Sequence, residues 1–183
     1  MRTAQGRVTY AALLAITTLG LAAGCATMIV NSYGASGADV RQYRTYAWGP
    51  AHSRPTGDPR LDNNRFFDER VRARVDDELS RRGFEKTATP TGDLLVHYHA
   101  SVSQQIAIGE LDGVQSCATG DCRPYVFDKG TLVVELVQPS DGTLIWRGWA
   151  ESSFEGVVED QAWMESRIDE AVAKILARLP RRF

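Results

Sequence analysis

Histidine and cysteine are scarce in this sequence, and positive charge is not in excess. Its 183 residues include three histidines and three cysteines, and 21 basic residues stand against 23 acidic ones. Nucleic-acid-binding domains depend on clustered Lys and Arg, so this balance argues against a nucleic-acid partner. The arginines between positions 70 and 82 alternate with Asp and Glu. That pattern predicts a solvated helix face with ion pairs.

Sequence motifs of catalysis are also missing. The chain has no Gly-x-Ser-x-Gly elbow, phosphate loop, His-Glu-x-x-His helix or dinucleotide-binding fingerprint. Ser101 and Ser103 follow His97 and His99 closely, but no pattern places an orienting acid or oxyanion donors beside them. We therefore expect a protein that is not an enzyme and carries no cofactor.

The amino-terminal segment has the three parts of a bacterial signal peptide. Arg2 and Arg7 supply positive charge, and Val8–Leu21 is apolar without a single charged residue. Three small residues, 22–24, then precede Cys25. The apolar stretch is too short and wrongly flanked for a stable membrane span. Residues 1–24 are therefore predicted to be removed as a leader.

The residues that end at Cys25 resemble the lipobox of bacterial lipoproteins. That resemblance implies lipidation of the Cys25 thiol, cleavage before it and acylation of the new amino terminus. The sequence departs from the usual pattern at Ala22, since the favoured Leu stands one position earlier, at Leu21. The alternatives are an ordinary secretory signal and an uncleaved helix. Two or more acyl chains anchor a protein stably, so lipid alone would attach this protein to the membrane, without a contribution from the folded domain.

The predicted location is the cell envelope, on the periplasmic face of the outer membrane. In sorted lipoproteins an Asp just after the lipidated cysteine signals inner-membrane retention, and this chain has Ala26 there. The chain without its leader has 19 basic and 23 acidic residues, a net charge of −4. Its length fits one domain. We expect a lipidated tether over residues 25–39, with or without a first strand, and the domain over 40–183.

The cysteine count is consistent with this location. Three is an odd number, and lipidation of Cys25 leaves Cys117 and Cys122. The Thr-Gly-Asp between them can turn the chain, and an exported protein meets oxidising conditions. A disulfide between Cys117 and Cys122 is the leading interpretation. A metal or redox pair is the alternative, although the spacing suits neither a zinc set nor a Cys-x-x-Cys motif.

Hydrophobic periodicity and turn residues predict an α+β fold. The order is strand, helix, three strands and helix, at positions 43–48, 62–82, 93–102, 130–137, 143–153 and 161–179. Hairpin signals between the later strands favour an antiparallel sheet of four to five strands with both helices on one face. Residues 103–123 are predicted to form a long loop, of the kind that often binds partners.

Two histidines give the clearest hint of chemistry. His97 and His99 share one face of a predicted strand, a spacing at which both imidazoles can reach one metal ion. A third ligand would have to be Glu135 or Glu151, because the remaining histidine, His52, lies in a Pro-rich segment. Two histidines on a solvent-facing sheet surface explain the same alternation.

Aromatic residues suggest a binding surface. Alternation along residues 143–153 predicts Trp146 in the core with Leu144, and Ile145, Arg147 and Trp149 together on the opposite face. An apolar patch on an uncovered sheet face is typical of a site for a protein partner or a lipid-like ligand. Alternatively, an amino-terminal strand or the long loop covers it.

Six sequence segments together resemble a known family of bacterial lipoproteins, domain of unknown function 4136. They are Tyr43-Arg-Thr-Tyr-Ala-Trp48, Arg82-Gly-Phe84, Asp93-Leu-Leu-Val96, Gly130-Thr-Leu-Val133, Ile145-Trp-Arg-Gly148 and the closing Ala171-Val-Ala-Lys-Ile-Leu176 with Leu179-Pro180. The resemblance implies a lipobox leader, one α+β domain and an envelope location, with no established activity. The segment around Cys117 and Cys122 has no counterpart in that pattern.

The sequence therefore supports three hypotheses of unequal weight. The first is a non-catalytic envelope lipoprotein that binds or scaffolds an envelope protein or ligand. The second is an accessory lipoprotein that handles lipid. The third is a metal-dependent enzyme that uses His97 and His99.

Overall fold

The computed structural model describes residues 27–50, 56, 58–62, 64–88, 92–107 and 125–181. Within them the elements are β1 (Ile29–Gly34), β2 (Thr45–Trp48), α1 (Arg65–Arg81), β3 (Glu85–Lys86), β4 (Leu94–Ala107), β5 (Tyr125–Val137), β6 (Leu144–Ser153) and α2 (Gln161–Ala177). A 3₁₀ turn occupies Val40–Gln42. Cys25, His52, Cys117 and Cys122 lie outside the described residues.

The six described strands form one mixed sheet in the order β1-β6-β5-β4-β2-β3. The pairs β1–β6, β6–β5 and β5–β4 are antiparallel, whereas β2 pairs in parallel with β4 and with β3. The expectation of an antiparallel sheet with four to five strands was therefore wrong, because β2 forms two parallel pairs and the described strands number six. The reason is that β2 reaches β3 and β4 through α1, and a helical crossover returns the chain in the same direction.

Helix α1 forms where a capping residue precedes an apolar stripe. The Asn64 side chain caps the helix by accepting a hydrogen bond from the Phe67 backbone N–H. The buried apolar stripe repeats every four residues: Phe67, Val71, Val75 and Leu79. The chain then leaves the helix through Gly83, whose φ of 84° favours glycine.

Helix α2 lies beside α1 and buries a broader stripe. Asp160 caps it by accepting from the Ala162 and Trp163 backbone N–H groups. Its buried residues are Met164, Ile168, Ala171, Val172, Ile175 and Leu176. Arg70 of α1 contacts Glu165 at 2.7 Å and also pairs with Asp169, so ion pairs join the two helices. Neither described helix is long and apolar enough to cross a membrane.

The core lies between these helices and one face of the sheet. That face presents Leu94, Val96, Val134, Leu136, Trp146 and Ala150, all buried. Gly148 makes the contact with α2 possible, because a Cβ there would lie 2.4 Å from the Trp146 ring and 2.8 Å from Ile175 Cγ2. The alternate residues form the opposite face, here called the open face: Tyr33, Leu95, His97, His99, Val133, Glu135, Arg147 and Trp149.

A bulge in β6 places Ile145 in the core. The ladder with β5 pairs Leu136 with Trp146 and then Val137 with Leu144, so Ile145 is left between two rungs. Its side chain is only 3% exposed. The predicted position of Ile145 on the face shared by Arg147 and Trp149 was therefore wrong, because the extra residue interrupts the alternation.

The sheet extends further at one end than the sequence predicted. Residues 103–107, expected in a loop, continue β4 and pair with the beginning of β5, up to Ala107 opposite Tyr125. The β6 ladder stops earlier, at Ser153 opposite Lys129. The two-stranded extension, residues 104–107 and 125–128, is called the arm. Strand β1 lies within the segment 25–39, for which a tether with or without a first strand was expected.

Candidate functional site

A cleft of about 380 Å³ opens beside β4, past the point where β2 ends. The first turns of α1 form one wall, and residues from both faces of β4 form the other. Its described lining includes Trp48, Phe67, Asp68, Arg72, His97, Tyr98 and His99. A volume of this size accommodates a small molecule or the side chains of a partner.

Stacked aromatic rings and one arginine build the inner wall of the cleft. The Arg72 guanidinium lies 4.5 Å from the centre of the Trp48 ring and 5.9 Å from that of Tyr98. Trp48 and Tyr98 meet edge to face at 6.3 Å, and Phe67 contacts Tyr98 at 6.2 Å. Cation–π and edge-to-face contacts of this kind hold side chains in fixed orientations.

Two aspartates on α1 hold these groups in place. Asp68 accepts from the Tyr98 hydroxyl at 2.7 Å and from Arg72 Nε at 2.9 Å. Asp76 accepts from Trp48 Nε1 at 2.9 Å and from the Tyr46 hydroxyl at 2.8 Å. The wall is therefore preorganised by hydrogen bonds between α1 and the sheet.

The same contacts keep the tyrosine hydroxyls protonated. Burial, reinforced by the hydrogen bond to Asp68, raises the pKa of Tyr98 well above its usual range. Burial and the bond to Asp76 raise the pKa of Tyr46 in the same direction. Both hydroxyls act as donors to carboxylates, which is a structural role rather than that of a proton-transfer group.

The two histidines lie on the open face as predicted, with different surroundings. His99 Nε2 is 3.3 Å from Glu135 Oε2, and Arg147 Nε donates to Glu135 Oε1 at 2.6 Å. The His97 ring packs against Gly49, where a Cβ would lie only 2.0 Å from Cε1. Glu135 is therefore shared by a histidine and an arginine across three strands.

This arrangement gives little support to a metal centre. Glu151, the other carboxylate considered as a ligand, pairs with Lys129. Among the residues that the structure describes, no group of three His, Cys, Asp or Glu is placed to hold a metal ion. His52 lies outside that part of the chain.

Trp149 and Arg147 occupy the open face, without Ile145. Trp149 is half-buried between Asn31 of β1 and Val133 of β5. Strand β1 pairs along the edge of β6, so it extends the sheet sideways next to this patch. The Arg147 side chain is 47% exposed and is held by Glu135.

A second, smaller pocket lies between the sheet and α2. It measures about 60 Å³ and is lined mostly by apolar residues, among them Met28, Val102, Phe154 and Met164. Arg167 also lines it, donating through Nη1 to Glu170 at 2.6 Å. Its Nη2 atom is buried without a hydrogen-bond partner.

Sequence reasoning missed the main cleft residues. The Asp68 and Arg72 pair at i and i+4 was visible as a helix-surface ion pair. Nothing local indicated that Arg72 would reach Trp48, because that contact depends on the crossover that places α1 above β2. Arg167 carried no signal either, since it looks like any charged residue on an amphipathic helix.

The fold and these sites define a two-layer α+β domain with a cleft at the edge of its sheet. The chain belongs to the family described as Domain of unknown function (DUF4136), whose model matches residues 30–181. This confirms the family resemblance read from the sequence motifs.

Solved structures with similar folds share little sequence with this chain. A PDZ domain protein from Parabacteroides distasonis has a TM-score of 0.54 at 13% identity, over 84% of this chain and 36% of that one. This chain therefore spans about a third of that protein's length. A DUF4136 family protein from Bacteroides thetaiotaomicron has a TM-score of 0.49 at 12% identity, over 82% and 95% of the two chains.

A dodecamer-forming protein is also similar in shape. PelC from Paraburkholderia phytofirmans has a TM-score of 0.47 at 14% identity, over 86% of this chain and all of that one. At such low identity the neighbour from Parabacteroides distasonis, with its TM-score of 0.54, indicates the fold alone. No curated protein matches the sequence significantly.

Proposed function

We propose that this protein is a lipid-anchored lipoprotein of the cell envelope, on the periplasmic face of the outer membrane, acting as a non-catalytic binding or scaffolding module. The observation that carries the proposal is the cleft walled by Trp48, Arg72 and Tyr98. The lipobox at Cys25 supplies the anchor.

The composition of the cleft suits binding better than chemistry. Trp, Tyr and Arg are the residues that most often dominate binding energy in protein interfaces. Here they are fixed by Asp68 and Asp76, so a partner would lose little of its binding energy to ordering them. The partner we propose is an envelope protein that places a side chain in the cleft.

Site-specific crosslinking in living cells tests this assignment. A photoreactive residue at Arg65, on the cleft rim with an 88% exposed side chain, should give a discrete adduct. The same residue at Lys174, exposed on α2, serves as the matched control and should give none. Adding Arg72→Ala should abolish the Arg65 adduct. An adduct that persists with Arg72→Ala, or that forms equally at Lys174, would remove the cleft from the proposal.

The anchor is tested separately. Cys25→Ser should move the protein from the membrane fraction to the soluble fraction, because no described helix could span a membrane. Retention of the variant in membranes would contradict lipidation as the means of attachment.

A lipid-handling role is the second candidate, favoured by the small apolar pocket. A guanidinium atom buried without a partner beside apolar side chains suits an anionic amphiphile. Native mass spectrometry of protein purified in mild detergent distinguishes the candidates. A retained lipid mass that is lost in Arg167→Leu would favour lipid handling, and a retained metal would favour the metal-dependent enzyme. Neither mass would favour the binding module.

A further inference from the structure

The large apolar side chains that remain exposed are concentrated at one end of the molecule. In the described part of the chain they are Ile29, Tyr33, Ile106, Val126 and Trp163, with exposed fractions of 46–67%. All of them except Tyr33 lie at the end from which the arm extends. This end, defined by Ile29, Ile106, Val126 and Trp163, is called the arm end.

Strand register places Ile29, Ile106 and Val126 towards the same end of the sheet. Ile29 pairs with Glu151, which is opposite Thr131, which is opposite Ser101 of β4. From Ser101, β4 continues towards the arm, where Ile106 pairs directly with Val126. Strand β6 ends at this end too, and the chain turns there into α2, whose first turn carries Trp163.

The predicted lipid anchor enters the domain at this end. Strand β1 runs from Ile29 at the arm end to Gly34 at the level of Trp146, which is far from the arm. Cys25 precedes Ile29 by four residues, a reach of about 14 Å when fully extended. A lipid on Cys25 would therefore hold the arm end, and no other end of the sheet, against the bilayer.

We propose that the arm end rests on the bilayer surface, with Ile106, Val126 and Trp163 in contact with lipid. The inference rests on the proposed lipidation of Cys25 and deepens it by assigning an orientation. Trp is favoured at membrane interfaces, and apolar side chains of surface-bound elements enter the boundary between headgroups and acyl chains. Such residues are otherwise costly to expose together.

The contact is apolar rather than electrostatic. Glu155 and Asp160 are exposed near the start of α2, and Glu159 there pairs with Arg60. This local charge is negative, so it does not attract anionic lipid. Zwitterionic phosphatidylcholine is therefore sufficient, and the contact is insensitive to salt.

Quenching by brominated lipid tests the orientation in the lipidated full-length mature protein. Two probes are placed in a Trp163→Phe background: Ile106→Trp at the arm end and Tyr33→Trp at the other end of β1. Both sites are exposed, so both accept the larger ring. The proteins are reconstituted into vesicles of phosphatidylcholine with brominated or plain acyl chains. The other three tryptophans contribute equally to both variants.

The expected result is selective quenching. The fluorescence added by Ile106→Trp should fall by at least about half in brominated vesicles, because an inserted side chain lies about 5–10 Å into the interface. That added by Tyr33→Trp should not change. Restoring Trp163 should add a second quenched component.

The possible failures can be told apart. If the Cys25-bearing protein does not float with vesicles, lipid anchoring itself fails. If it floats but Ile106→Trp is quenched no more than Tyr33→Trp, the anchoring stands and the proposed orientation is overturned. A blue-shifted but unquenched Ile106→Trp would indicate burial against another protein copy and would also overturn it.

Discussion

The Arg72 guanidinium stacks 4.5 Å from the centre of the Trp48 ring, and this contact joins α1 to β2. Trp48 closes the Tyr43-Arg-Thr-Tyr-Ala-Trp48 segment, one of those that carry the family resemblance. Its indole N–H is bound by Asp76, four residues beyond Arg72. The segment therefore has a structural meaning, because it supplies the rings on which α1 is fixed.

Replacing Arg72 should weaken this contact measurably. Arg72→Met keeps the apolar stem but removes the stacked charge and the bond to Asp68, so we expect a loss of about 1–2 kcal/mol in the free energy of unfolding. Arg81→Met, which removes an exposed arginine from the same helix, should change it by less than about 1 kcal/mol. Urea denaturation of the two variants measures the difference. Equal effects would mean that the stacking contributes nothing.

Tyr98 should make the fold sensitive to alkaline pH. Its pKa is raised in the folded protein by burial and by the bond to Asp68. The unfolded chain loses this proton near pH 10, and the folded state still holds it. Above about pH 10 the folded state therefore binds more protons, and stability falls as pH rises. Below that pH the contribution of Tyr98 is complete.

Tyr98→Phe isolates this effect from other titrations in the same range. The variant should be less stable than the unmodified protein at pH 8, because it loses the hydrogen bond to Asp68. Its decline in stability between pH 9.5 and about 11 should nevertheless be shallower, because one titrating group is gone. Parallel declines in urea midpoints for both proteins would show that Tyr98 does not titrate differentially.

Local sequence patterns predicted the helices well because each needs only its own residues. The stripe from Phe67 to Leu79 and the capped start at Asp160 are set by spacing and by hydrogen bonds within a turn. The direction in which two strands pair, in contrast, is not set by local residues. Whether β2 lies parallel or antiparallel to β4 depends on the path of the chain through α1, which no local alternation reveals.

The same difference between local and long-range contacts explains which site residues could be predicted. His97 and His99 were placed correctly on one face, since alternation along a regular strand is local. The Arg72 contact with Trp48 joins residues far apart in sequence, so neither was singled out as a binding residue. The arm was not predicted, because the glycines of the segment 103–123 favoured a loop there. The structure nevertheless pairs the residues up to Ala107 with β5.

Cys117 and Cys122 stay a sequence-based prediction, and chemistry can test them directly. The exported protein, denatured without reductant, should show neither thiol reacting with an alkylating reagent, and both should react after reduction. Protein kept in the cytoplasm by removal of its leader is the matched control and should react without reduction. Alkylation of the exported protein before reduction would contradict the disulfide.

Ile145 offers the sharpest test of the bulge in β6. Its side chain is 3% exposed, so Ile145→Ala should remove apolar contacts in the core and lower the free energy of unfolding by about 2–4 kcal/mol. Ile106→Ala makes the same chemical change at a site that is 67% exposed and should cost less than about 1 kcal/mol. Simple alternation along the strand would instead leave Ile145 on the open face beside Arg147. In that case both substitutions would be mild, so similar urea midpoints for the two variants would argue against the bulge and for an unbroken ladder.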